Sequence, residues 1–118
     1  MTIEQCYQEM GGNYAEVCGR LPSQRLVEKF VRKFPDDQSY AELTAAMAAG
    51  DHDVAFRAAH TLKGVAANLS FTKLRASASK LTELLRAPSA TIPSEASPML
   101  DAVTRDYEAT IAAIRALD

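Results

Sequence analysis

The sequence predicts an all-α fold: a four-helix up-and-down bundle with one or two additional short N-terminal helices. Most stretches between the glycines and prolines are rich in Ala, Leu, Glu, Lys and Arg, which favour helices. Apolar residues recur at helical spacing, and no long stretch alternates as a strand does. With 118 residues and 47% hydrophobic content, the chain can form one core. We therefore expect a single domain over 1–118, in which residues 1–22 cover a helical bundle formed by 23–118.

The N-terminal segment is expected to cover the bundle. Residues 3–20 have a helical composition, but Gly11-Gly12 interrupts them, so they predict one or two short helices. Ser23 then provides the N-cap of a helix that ends at Pro35. The apolar residues of this helix share one face and are expected in the core: Leu26, Val27, Phe30, Val31 and Phe34.

A further helix is predicted from about 37 to 49. Gly50 would end it, because glycine readily adopts the left-handed backbone of a helix C-terminus. Ser39 and Glu42 have the spacing of a capping box if the helix starts late. The residues expected to face inward are Leu43 and Met47.

Three longer helices follow. Asp51 is the expected N-cap of a helix over 51–69, which alone carries unusual chemistry. Ser70 can cap the next helix, over 71–86, and the last helix spans about 94–117. The apolar stripe of 71–86 is Leu74, Ala78, Leu81 and Leu85, and that of 94–117 is Met99, Val103, Tyr107, Ile111 and Ile114.

Composition limits the possible functions. The net charge of −2, from 13 basic and 15 acidic residues, provides no overall field that would attract nucleic acid or an anionic membrane. No apolar run approaches the roughly 18 residues that span a bilayer, and the N-terminus lacks signal-peptide features, so we expect a cytoplasmic location. Cys6 and Cys18 lack the spacing of a zinc or redox site and are interpreted as reduced, partly buried thiols.

His60 is predicted to lie on the exposed face of its helix. At about 100° per residue, the apolar side chains of 51–69 fall within an arc of roughly 80°. His60 lies close to the opposite side, so its imidazole is expected in solvent. Phe56, Arg57, Gly64 and Ala67 surround it, and Lys63 flanks it. The residues assigned to the apolar arc are Val54, Ala58, Leu62, Val65 and Leu69.

The neighbours of His60 suggest a site where a partner comes close. Gly64 lies one turn after His60, although glycine costs about 1 kcal/mol relative to alanine inside a helix. Clearance for a partner would explain that cost; a neutral surface substitution is the alternative. Ala67 and Phe56 would extend a small, partly apolar docking patch.

Two cations lie about one turn from His60. Lys63 could hold a negatively charged group attached to the ring, and Arg57 could do the same from the other side. For each cation taken alone, a solvated surface charge is the alternative interpretation. No acidic cluster is expected on this face.

The run AHTLKGVAANLS, residues 59–70, resembles the signature of histidine phosphotransfer (HPt) domains, in which alanine and the phosphorylated histidine precede x-Leu-Lys-Gly. Looser similarity extends upstream to residue 10 and downstream to Arg86, over roughly three quarters of the chain. The resemblance implies that His60 is the phosphoacceptor, through Nε2. It also implies that Lys63 stabilises the phosphoryl group and that Gly64 provides clearance for a docking receiver domain.

The resemblance extends to the following helix and includes two departures. Ser79, Thr82 and Arg86 match positions whose polar or basic side chains bond the imidazole or approach the phosphoryl group in some relatives. Thr82 is shorter than the Glu or Gln frequent there, so its contact with the ring is either lost or supplied by water. Ser70 replaces the glycine that commonly closes the signature.

The function implied is that of a phosphorelay intermediate. His60 would accept a phosphoryl group from a receiver aspartate and pass it to another receiver. The sequence lacks residues that hold Mg²⁺ and align the transfer, so we expect a phosphocarrier without a bound cofactor, with Mg²⁺ in the partner receiver. The implied partners are response-regulator receiver domains and a hybrid histidine kinase, and the carrier is expected to be a monomer. The start at Met1 and the helical end favour a free-standing carrier, although an excised domain would look similar.

Three other functions are weighed against this one. A metal-binding bundle would need His52 and His60 to share an ion, but they are about 12 Å apart along the helix, and His52 is interpreted as a solvated terminal residue. A non-phosphorylated docking module for a receiver or kinase would use the same face. A hydrolase or transferase would need a nucleophile, a base and an orienting group, and the motifs provide no such set.

Overall fold

The computed structural model describes all 118 residues and contains seven α-helices and no strand. The all-α prediction is therefore confirmed. The helices are α1 (Ile3–Met10), α2 (Tyr14–Arg20), α3 (Gln24–Lys33), α4 (Ser39–Ala49), α5 (His52–Asn68), α6 (Thr72–Leu85) and α7 (Ala96–Arg115), with a short 3-10 turn, Phe34–Asp36, between α3 and α4.

Helices α4 to α7 form the four-helix bundle. Helix α5 packs between α4 and α6, α7 packs on α6, and α1 lies against α7. Tyr40 connects α4 to α7, because its ring stacks on Tyr107 with 3.9 Å between centroids and its hydroxyl lies 2.9 Å from the Thr104 hydroxyl. The bundle thus holds α5 between two neighbours, with one side of α5 left for solvent.

A chain of aromatic rings links the N-terminal helices to this bundle. Tyr7 of α1 contacts Phe71, and Phe71 contacts Phe34 edge-on, with ring centroids 5.7 and 5.1 Å apart. The Tyr7 hydroxyl also donates a hydrogen bond of 2.7 Å to the Leu69 carbonyl oxygen at the end of α5. The N-terminal segment therefore anchors the end of the helix that carries His60.

Several predicted helix boundaries are confirmed. The side chains of Ser23 and Asp51 accept hydrogen bonds from the backbone N–H of the third residue of α3 and of α5, Leu26 and Val54. Gly50 adopts φ 71° and ends α4. The capping box at Ser39 and Glu42 was wrong, because Ser39 is already the first residue of α4 and its backbone N–H donates to the Asp37 carboxylate instead.

The core differs from the predicted one in two places. Phe30 was expected in the core but is 42% exposed, because α3 lies on the outside of the bundle and only its narrow Val27–Val31 edge is fully buried. In α5, Val54 and Val65 are half-buried, whereas the small residues Ala55, Ala59 and Ala66 are completely buried. Alanines occupy this buried side because α4 and α6 pack against α5 from two directions.

The remaining sequence expectations have mixed outcomes. The stripe predicted for 71–86 is confirmed, since all four of its residues are buried in α6. Cys6 is buried, and this burial raises the pKa of its thiol to about 11, whereas Cys18 is exposed. None of the helices combines the length and apolar character that crossing a bilayer requires.

Candidate functional site

Helix α5 presents His60 to solvent, as predicted. Leu62 follows His60 by two residues, is completely buried and faces the opposite side of the helix. His60 itself is exposed and forms no hydrogen bond within the chain. Because α4 and α6 both pack against α5, the position of the backbone that carries the ring is defined, while the imidazole itself remains accessible.

The imidazole lies at a shallow hollow between α5 and the end of α6. Phe56, Arg57, His60, Thr61 and Arg86 line this hollow, whose volume is about 390 Å³. The Phe56 ring lies beside the imidazole, with centroids 6.1 Å apart and ring planes inclined at 44°. The hollow therefore combines one apolar wall with two guanidinium groups.

The cations around His60 are held to different degrees. Lys63 is half-buried and forms no ion pair, so its ammonium group is free to contact a new anion. The Arg57 Nε lies 3.4 Å from the Asp53 carbonyl oxygen, a long hydrogen bond. Arg86 is more firmly placed, with its guanidinium carbon 5.5 Å from the centroid of the Phe56 ring.

Glu83 adds an acidic group that the sequence analysis did not expect at this site. Its carboxylate accepts two hydrogen bonds from Arg86, at 3.2 Å from Nε and 2.9 Å from Nη2. The Arg86 guanidinium lowers the pKa of the Glu83 carboxyl most strongly, and the nearby ammonium group of Lys63 lowers it further. The spacing of Glu83 and Arg86 on one helix face was the available signal, but their distance from His60 depends on how α5 and α6 pack.

Gly64 leaves open space beside the site. Apart from the adjacent residues and the backbone of α5 itself, a Cβ at this position would meet no atom within 4 Å, so packing against the rest of the chain does not require glycine there. Phe56 and Ala67 are half-buried on the same side of α5. The surface around His60 is thus low and partly apolar, as a docking partner would need.

The sequence model of the Hpt domain family matches residues 25–116. The chain belongs to the Hpt domain family. No curated protein and no solved structure matches it. Hpt domains are phosphocarriers that transfer phosphoryl groups on histidine in phosphorelays and interact there with receiver domains or kinases. Membership therefore establishes histidine phosphotransfer as the general function of this chain.

Two residues on α6 depart from the roles that the Hpt resemblance implied. The Thr82 side chain is completely buried, and its hydroxyl donates a hydrogen bond of 2.7 Å to the Ala78 carbonyl oxygen. It forms no hydrogen bond with His60, because the hydroxyl is bonded within its own helix. Ser79 is half-exposed and lines a different hollow, beside Lys80 and Met99.

Ser70 occupies the position where Hpt sequences commonly have glycine, and its backbone explains that preference. Its φ is 57°, in the left-handed region that glycine adopts most easily. Ser70 therefore does not cap α6, whose N-cap is Phe71, and that prediction was wrong. Its hydroxyl instead donates to the Glu16 carboxylate at 2.8 Å and accepts from Arg20 Nη1 at 3.0 Å.

The same arginine holds the C-terminal end of α5. Arg20 Nη1 donates to the carbonyl oxygens of Ala67, at 2.9 Å, and Asn68, at 2.7 Å. These carbonyls belong to the last turn of α5, where no following helical turn supplies donors, although Ala67 also accepts the Ser70 backbone N–H at 3.2 Å. Sequence analysis missed this role, because Arg20 lies 47 residues before Ala67 in the chain.

His52 lies in surroundings unlike those of His60. It was interpreted as solvated but is only 6% exposed. Its Nδ1 lies 3.4 Å from the Asp53 carboxylate, and its Nε2 is buried without a hydrogen-bond partner. No group of three or more His, Cys, Asp or Glu side chains is arranged to hold a metal ion.

Proposed function

We propose that this chain is a phosphorelay intermediate that accepts a phosphoryl group on His60 from the aspartate of one receiver domain and passes it to another receiver. The observation that carries this proposal is the exposed His60 ring on a firmly packed helix, next to the open surface at Gly64. His60 also lies inside the segment matched by the Hpt family model.

The chemical step exchanges one bond to phosphorus for another. The lone pair of the unprotonated imidazole nitrogen, which we assign to Nε2, forms a P–N bond as the P–O bond to the receiver aspartate breaks. The bonding electrons return to the aspartate carboxylate, and solvent takes up the proton that the second ring nitrogen releases. Onward transfer reverses this exchange with another aspartate.

The cations of the site would stabilise the phosphorylated histidine. Lys63 has no competing ion pair, so we assign it the main contact with the phosphoryl oxygens. Arg57 and Arg86 line the hollow beside the ring and would add weaker contacts. Ser79 and Thr82, whose hydroxyls do not contact the ring, are not assigned a role in this step.

The partner would complete the catalytic centre. In this proposal a response-regulator receiver docks on Phe56, Gly64 and Ala67, and it supplies the Mg²⁺ ion that neutralises charge during transfer. A hybrid histidine kinase would carry the first receiver. The chain itself would act as a cytoplasmic monomer without a bound cofactor.

A transfer assay tests the proposal. The protein and a His60→Gln variant are each incubated with a phosphorylated receiver domain and Mg²⁺, and base-stable, acid-labile phosphate is followed by intact mass. We expect one phosphoryl group on the parent and none on the variant. Failure of several active receivers to label the parent, or equal labelling of the variant, would leave a non-phosphorylated docking module as the better account.

The assignment of Lys63 has its own test. Lys63→Gln should lower the phosphorylated fraction at equilibrium about three- to tenfold, because one charge-assisted contact with the phosphoryl group is lost. Lys29→Gln is the matched control, since Lys29 is an exposed lysine of α3 that does not line the hollow of His60. Equal fractions for both variants would remove Lys63 from the site.

A further inference from the structure

The Arg86 guanidinium is already occupied in the structure. It donates two hydrogen bonds to the Glu83 carboxylate and lies against the Phe56 ring. It also lines the hollow that contains His60. A phosphoryl group on the imidazole would therefore meet an arginine that is positioned close to it but bound to another anion.

The single positive charge of the guanidinium cannot fully neutralise two anions. A phosphoryl group brings a charge of about −1.5 to −2 and presents oxygens that match the planar fork of arginine. The Glu83 carboxylate uses the Nε–Nη2 edge of that fork. A phosphoryl group would therefore find only Nη1 and the outer hydrogen of Nη2 free, and two anions that repel each other would share one positive charge.

We propose that Glu83 is a positioning residue that competes with the phosphoryl group on His60 for Arg86, and so favours transfer of that group away from His60. The inference rests on the proposed function of His60. Before phosphorylation, Glu83 stabilises the carrier through Arg86. After phosphorylation, either the pair with Glu83 or the contact with the phosphoryl group is weakened, which raises the free energy of the phosphorylated form.

The consequence is a lower occupancy of the phosphorylated carrier, because a less stable phosphohistidine gives up its phosphoryl group more readily to either receiver. When the P–N bond breaks, its electrons return to the ring nitrogen, the phosphoryl group moves to the receiver aspartate, and Arg86 pairs again with Glu83. Both side chains of the pair are largely exposed, Arg86 over 51% and Glu83 over 58% of its surface. Water and salt therefore weaken the interaction between them. An acidic residue near the ring would thus act against stable storage of the phosphoryl group.

The test is an equilibrium measurement with a phosphorylated receiver. The ratio of phosphorylated His60 to phosphorylated receiver should rise about two- to fivefold in Glu83→Gln, the size expected for one exposed ion pair. Glu83→Asp retains the charge, so its phosphorylation ratio should stay closer to that of the parent. Glu108→Gln makes the same charge change at an exposed position of α7 and should leave the ratio unchanged.

A double-variant cycle separates competition from simple repulsion. In an Arg86→Gln background, Glu83→Gln should change the logarithm of the phosphorylation ratio by less than half as much as it does in the parent. The reason is that this background has no guanidinium to compete for. Salt at about 1 M should also reduce the effect in the parent background. A merely structural role for Glu83 would show neither response in the transfer ratio.

The outcomes distinguish this inference from the function on which it rests. A parent that is labelled on His60 with the same ratio as Glu83→Gln, or with a higher one, would overturn the competition and leave the carrier function intact. An undiminished effect in the Arg86→Gln background would also overturn it. A parent that no active receiver labels would overturn the carrier function itself.

Discussion

Helix α5 carries two histidines whose surroundings are opposite. His60 is exposed, forms no hydrogen bond and lies beside Arg57 and Arg86. His52 is 6% exposed, and its Nε2 is buried without a partner. The two positions differ by eight residues, which corresponds to about 80° of rotation and about 12 Å along the axis.

The comparison shows that the neighbours of a helix decide the chemistry available to a side chain. A rotation of 80° moves a ring from the open side of α5 to the side that packs in the bundle. The buried ring can contribute to packing, whereas only the exposed ring can meet a partner protein. The experiments below change one side of α5 at a time, and each predicts an effect on transfer or on stability.

The largest effect is expected on the exposed side, at Gly64. Gly64→Leu should slow phosphoryl transfer to His60 at least about thirtyfold, because the side chain would occupy the space that a receiver needs beside the ring. Gly64→Ala should raise the free energy of unfolding by about 0.5–1 kcal/mol, since a Cβ there meets nothing in the chain. Stopped-flow transfer kinetics and urea unfolding measure the two quantities. Transfer by Gly64→Leu at the parent rate would show that the partner does not approach this surface.

A smaller effect is expected at the anchored end of α5. Ser70→Ala should lower the free energy of unfolding by about 1–2 kcal/mol, because the hydroxyl bonds to the charged groups of Glu16 and Arg20 are lost. Ser70→Gly loses the same bonds but relieves the left-handed backbone, so it should cost less. Transfer rates should not change in either variant. Equal stability of parent and Ser70→Ala would show that this network contributes nothing to the fold.

The smallest effect is expected at the buried histidine, and it has the opposite sign. His52→Leu should raise the free energy of unfolding by about 1 kcal/mol, because a buried nitrogen without a partner is replaced by an apolar group of similar size. Phosphoryl transfer should proceed as in the parent. A loss of transfer in a folded His52→Leu protein would show that His52 also takes part in transfer and does not serve packing alone. Urea unfolding and the receiver assay together make this measurement.

Local patterns predicted much of the fold and the exposure of His60. The apolar arc of α5 is a property of helical period, so its opposite side could be assigned from sequence alone, even though the arc itself is centred on alanines. Caps such as Ser23 and Asp51 are equally local, because donor and acceptor lie within one turn. These features need no knowledge of the neighbouring helices.

The errors concern contacts between elements. The burial of His52 and the exposure of Phe30 depend on which helices pack against them. The pair of Glu83 and Arg86 could be suspected from its spacing, but its place beside His60 follows from the packing of α6 on α5. A single sequence indicates which residues share a face of a helix, but it does not indicate the angle at which two helices pack.

Mapping the phosphoryl group to one residue is the most direct test of the account. The parent protein, phosphorylated by a receiver domain and kept at alkaline pH, is digested and sequenced by electron-transfer fragmentation. We expect phosphate on the peptide that contains His60, at the imidazole, and none on His52. Phosphate on His52, or on any residue other than His60, would contradict it.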